Sequence, residues 1–148
     1  MVAVAFGLGL SVLALDDGRR GKVPVRPAQY LSALTVIGLG LVGVASSSWG
    51  RLTEAALGAA LVTVIQLVPY RLQARSDRGW IGRADVRLGI PFGWTLGWFG
   101  LGFTVVGFLA ALASGLMAAL ASRRPTIPFV PFLSFGFWLA LLWAGVRA

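Results

Sequence analysis

"GWFGLGF", residues 97–103, decides how many helices this chain forms. It lies inside an apolar run from residue 88 to residue 122, and three of its seven residues are glycine. As one helix, 35 residues at about 1.5 Å each would reach about 52 Å, against a hydrocarbon core of about 30 Å. A break is therefore expected where the glycines cluster. The run then divides into two spans, about 86–98 and 102–122.

Working outward, further apolar runs cover about 1–15, 30–49, 55–70 and 128–146, which makes six spans in 148 residues. With 57% apolar residues, 12% charged ones and a mean hydropathy of +0.83, the chain has the composition of a polytopic membrane protein. The expected fold is an all-α, membrane-embedded helical bundle, a single domain over 1–148. Residues 1–15 have the apolar character of a signal-peptide core. They lack a basic n-region and a small-residue cleavage site, so they are read as a retained span.

The net charge of +8 follows the same topology. With six spans, the loops at 16–29, 71–87 and 123–127 share one side. They carry Arg19, Arg20, Lys22, Arg26, Arg71, Arg75, Arg78, Arg83, Arg87, Arg123 and Arg124. The other side holds only Arg51 and Arg147. Eleven basic residues against two predict that the loop-rich side is cytoplasmic and the N-terminus outside. Keeping the long run as one span changes the ratio only to ten against three, so length makes that choice and charge does not. Arginines confined to short loops do not form the continuous basic surface that nucleic acid requires. The expected partner of this surface is the lipid bilayer, with no nucleic acid.

Several chemistries are excluded by composition. Without cysteine there is no disulfide, thiolate nucleophile or thiolate metal site, and without histidine the commonest general base and metal ligand is missing. Five carboxylates remain: Asp16, Asp17, Glu54, Asp77 and Asp85. Neither a metal nor a cofactor is expected.

Small residues recur every fourth position at Gly89, Gly93 and Gly97, at Gly107, Ala111, Gly115 and Ala119, and at Gly136, Ala140 and Ala144. That spacing aligns them on one helix face and predicts close packing between spans. The six tryptophans are expected at the membrane interface and in packing, Glu54 as an exposed cap of the third span, and Asp77 as a solvated loop acid.

Two acidic positions remain to be explained. "VLALDDGRRGKVP", residues 12–24, ends the first span on Asp16 and Asp17, and "WIGRADVRLG", residues 80–89, opens the fourth span near Asp85. Both stand at the predicted cytoplasmic edge of one small bundle. Low dielectric and a second carboxylate both oppose ionisation there, so two acids can share one proton. That state suits aspartic proteolysis. The competing roles are plainer: counter-ions to nearby arginines, or for Asp85 a helix N-terminal cap, with Arg83 and Arg87 favouring its charged form.

In combination these stretches resemble the type IV prepilin peptidases, integral-membrane aspartic proteases. Asp17 followed seven positions later by Pro24 resembles the D-x6-P element ending that family's first catalytic helix. "GRADVRL", from Gly82 onward, resembles its G-x-G-D-V-K-L motif, and "IPFVPFLSFG", residues 127–136, resembles the stretch that begins its last span. The three elements occur in the family's order and separation and cover nearly the whole chain. The resemblance implies that Asp17 and Asp85 are the catalytic pair, with Asp17 preferred over Asp16 by its distance to the proline. It further implies that Gly82, Ala84, Pro128, Phe129, Pro131 and Phe132 shape the substrate cleft.

The implied activity is cleavage of the leader peptide of prepilin-like proteins at the cytoplasmic face of a bacterial plasma membrane. The chain lacks the cytosolic methyltransferase region and cysteines of long family members. It is therefore similar to the short, peptidase-only forms of tight-adherence pili, and no N-methylation and no S-adenosylmethionine site are expected. Ala84 stands where the family has glycine, Val25 where it often has asparagine, and Val130 where it has glycine. Alternatives from other classes are an inactive scaffold or assembly factor of a pilus or secretion system, a small ion-coupled transporter, and a Ser/Lys protease using Lys22. The transporter ranks low because no carboxylate lies mid-span.

Overall fold

The computed structural model describes residues 1–20, 25–73, 83–122 and 128–147, and among them six helices and no strand form. They are α1 (Val2–Arg20), α2 (Val25–Ala45), α3 (Trp49–Gln73), α4 (Arg83–Phe99), α5 (Leu101–Ser122) and α6 (Val130–Arg147). The glycine cluster does break the long run. α4 stops at Phe99, Gly100 takes a φ of 132°, and α5 starts at the next residue. The Gly100 N–H donates to the Gly97 carbonyl at 2.9 Å, and the Phe103 N–H to the Gly100 carbonyl at 3.0 Å.

A residue with a Cβ is strained at that φ, so glycine is required at this corner. Gly100→Ala is expected to destabilise the bundle by about 1–3 kcal/mol, read as a lower thermal unfolding midpoint in detergent. Gly102→Ala is the control, since a Cβ there would meet nothing within 4 Å. Equal midpoints for the two variants would show that the corner relaxes.

Helix ends differ from the apolar runs where polar residues can still hold helical geometry. α1 runs on through Asp16 and Asp17 to Arg20, because a helix leaving an apolar layer keeps its backbone hydrogen bonds. α2 ends at Ala45, earlier than the run to 49, because three serines follow. The Ser46 hydroxyl donates to the Val42 carbonyl at 2.7 Å, Ser47 turns to a φ of 53°, and the Ser48 N–H donates to the Gly43 carbonyl at 2.9 Å. Serine offers the backbone local partners that compete with helix continuation.

Three helices are long and apolar enough to cross a membrane: Val25–Ala45, Trp49–Arg71 and Leu101–Ser122. The apolar stretch Val130–Val146 is shorter. Large apolar side chains line their outward faces, among them Leu34, Ile37 and Leu41 on α2 and Leu109, Leu116 and Leu120 on α5. So continuous an apolar exterior belongs in lipid rather than in water.

α4 is the central helix and packs against α2, α3, α5 and α6. Leu88, Phe92 and Leu96 point into the common core, which draws residues from all six helices. Edge-to-face aromatic contacts tie that core together: Phe6–Phe137 at 5.1 Å, Phe92–Phe137 at 6.1 Å and Phe92–Phe108 at 6.2 Å between centroids. The small-residue rows set the seams. Gly89, Gly93 and Gly97 lie against α3, and Gly107 and Ala111 lie against Gly136 of α6. Between α1 and α6, Trp138 Nε1 donates to the Ser11 hydroxyl at 2.9 Å, and Ser11 and Ser134 share a hydrogen bond of 3.1 Å. Trp138 thus points inward, whereas Trp49 at the start of α3 is exposed.

Candidate active site

On α1 the buried positions are Ala3, Phe6, Gly7, Leu10, Leu13 and Asp17. Helical geometry puts all six on one face, so Asp17 continues the apolar stripe into the bundle. Asp17 is only 5% exposed, while its neighbour Asp16 is half-buried. The structure therefore separates the two adjacent acids by helical phase alone.

What Asp17 meets is the start of α6. The Val130 N–H donates to Asp17 Oδ2 at 3.3 Å. First-turn amides of a helix have no partner within it. Pro131 has no N–H to offer, and the Phe132 N–H turns back to the Phe129 carbonyl at 3.0 Å. Val130 is the amide left over, and it is fully buried. An acid 113 residues away in sequence thus caps α6. Asp17 lies beyond the apolar run 1–15, in the last turn of α1. Burial pushes its carboxyl pKa up, and the Val130 amide pulls it partly back.

Asp85 is in the first turn of α4 and is 8% exposed. It sits four residues before Gly89 and so begins the row Asp85, Gly89, Gly93 and Gly97 on one face. α4 and α6 are in contact through Phe92 and Phe137. Asp85 and Val130 each stand seven residues, about 10 Å, before those rings. Since α4 and α6 run the same way, Asp85 and the Asp17–Val130 contact lie at the same end of the bundle. α1 and α4 each pack against both α2 and α6.

The remaining predicted site residues fall at this end or outside the described residues. The rings of Phe129 and Phe132 lie over Gly115 of α5, 3.5 Å from where its Cβ would be. Pro128 and Pro131 are half-buried at the start of α6. Ala84 lies in the first turn of α4. Gly82 lies outside the described residues, as do Pro24, Lys22 and Asp77. A groove of about 330 Å³ runs between α2 and α4, lined by Gln29, Ser32, Ala33, Val36, Arg87 and Ile90. Among the described residues no three potential metal ligands cluster.

Two polar features escape a reading of the sequence. Glu54 is exposed, as expected, but it caps α5: its Oε2 accepts the Leu101 N–H at 3.0 Å. Gln66 of α3 is 2% exposed, and neither atom of its carboxamide has a hydrogen-bond partner. A buried amide left so costs about 1–3 kcal/mol. The available signal for Gln66 was its position, a lone carboxamide within the apolar run 55–70.

Comparison of the chain with known protein families, curated proteins and solved structures finds no match.

Proposed function

We propose that this chain is a membrane aspartic endopeptidase that removes the leader peptide of prepilin-like proteins at the cytoplasmic face of a bacterial plasma membrane, without N-methylation. The observation that carries this reading is the burial of Asp17 and Asp85 at one end of an apolar helical bundle, with Asp17 against the proline-flanked start of α6. The motif resemblance supplies the substrate class.

In this reading the two carboxyl groups share one proton. The ionised carboxylate takes a proton from water as its oxygen attacks the scissile carbonyl, and the protonated carboxyl donates to the carbonyl oxygen. As the tetrahedral intermediate collapses, one of its hydroxyls returns a proton to the pair, the C–N bond breaks and the amine leaves with the pair's other proton, so one proton remains on the pair. No cofactor enters these steps. The α2–α4 groove, apolar at Ala33, Val36 and Ile90, fits a hydrophobic segment adjoining the cleaved leader.

A non-catalytic assembly factor is the second reading, favoured by one observation: Asp17 already has a structural task as the cap of α6. Co-expression with a prepilin carrying a basic leader and hydrophobic head separates the two. The wild-type chain is expected to shift the prepilin to its shorter form on a gel, and the chain with both Asp17→Asn and Asp85→Asn to leave it uncut. Equal cleavage by both chains rules out the aspartic mechanism, and binding without cleavage by wild type favours the assembly factor.

A further inference from the structure

The α3–α4 seam has a register that runs on past its glycines. Gly97 abuts the backbone of Glu54 and Ala55, Gly93 that of Gly58 and Ala59, and Gly89 the side chain of Val62. Each step of four residues on α4 is matched by about four on α3, in antiparallel order. Extended by one further step, that register pairs position 66 with position 85.

The Gln66 carboxamide is folded onto Gly89, where any side chain would collide with its Oε1. Both its donor and its acceptor are without partners, in a side chain that is 98% buried. Leucine would fill the same space with no polar atom to satisfy, and in an apolar bundle it would be the more stable choice. A carboxamide presents one acceptor and an NH2 donor, the complement of the N–H and C=O of an extended peptide backbone. Asp85 stands one helical turn before Gly89, on the same face of α4.

We propose that Gln66 is a substrate-binding residue of the Asp85 site, its carboxamide pairing with the backbone of an extended peptide substrate. The inference rests on the peptidase reading. Placement opposite Asp85 supplies the location, and the buried, unpartnered carboxamide supplies the ligand chemistry.

The test uses the purified full chain in liposomes and a synthetic peptide joining a basic leader to a hydrophobic head. Gln66→Leu is expected to raise KM about tenfold, the worth of one lost hydrogen-bonding group, with kcat within about threefold of wild type. Its thermal unfolding midpoint is expected to equal or exceed that of wild type, which a merely structural glutamine would not produce. Gln66→Met repeats the measurement in a flexible side chain of similar length, should leucine misfold. An unchanged KM in whichever variant folds overturns the assignment, as does a KM rise accompanied by a lower midpoint. A wild-type chain that neither binds nor cuts the peptide overturns the peptidase reading, and the role of Gln66 with it.

Discussion

Changing Asp17 to asparagine is expected to lower leader cleavage by about a thousandfold or more while the bundle stays folded. The two effects separate because Asp17 offers two different properties. Its Oδ2 accepts the buried Val130 N–H, and asparagine keeps an oxygen that can do the same. Its acidity, in the proposed mechanism, moves a proton, and asparagine has none to move. Asp17→Ala removes both, leaving the Val130 amide buried without a partner at a cost of about 1–3 kcal/mol.

Alanine is therefore expected to melt lower than asparagine, with both inactive. Cleavage by the asparagine chain at the wild-type rate would remove Asp17 from the catalytic pair. Equal melting of the two variants would remove it as a cap.

The raised carboxyl adds a pH dependence. A carboxyl whose pKa rises on folding stabilises the fold below its unfolded value of about 4, and that contribution is lost as pH rises through the folded value. Asparagine is uncharged throughout. The Asp17→Asn chain should match wild type in acid and melt higher once pH has risen above the folded value.

Gly93→Ala is expected to destabilise the bundle by about 3 kcal/mol, at the upper end for an overpacked core. A Cβ at Gly93 would meet the Gly58 carbonyl, with its carbon at 2.6 Å, and the Ala59 Cα at 2.8 Å. These are backbone atoms that cannot rotate away, so α3 and α4 must separate. Separation here lifts the neighbouring rungs at Gly89 and Gly97 along the helix that carries Asp85, so in the proposed peptidase cleavage should fall with stability. Gly40→Ala provides the comparison, because its Cβ would meet nothing within 4 Å. The midpoint of detergent-induced unfolding measures both. Gly93→Ala unfolding alongside Gly40→Ala would mean the seam has slack.

Much of this was legible in one dimension. The length of the apolar run demanded a break, and Gly97, Gly100 and Gly102 marked it within a few residues of the observed corner at Gly100. The four-residue glycine rows announced close seams. These properties follow from rise per residue, hydropathy and helical period, all of which act along a single segment.

Partners across segments were not legible in the same way. Glu54 was expected to serve its own helix and caps α5, 47 residues away. Asp17 was expected only as a carboxylate and also closes the α6 N-terminus. Trp138 bonds inward to Ser11, and Gln66 lies on Gly89 without a hydrogen-bond partner. No local propensity encodes such pairings. They arise when glycine rows let helices approach to backbone contact, because that contact sets the register and the register chooses what faces what. The sequence by itself determined six helices, their apolar faces and the two acids near one end. Only tertiary packing decided that Asp17 meets Val130 and that Gln66 lies on Gly89, since depth along a helix becomes a shared coordinate only after the seams have closed.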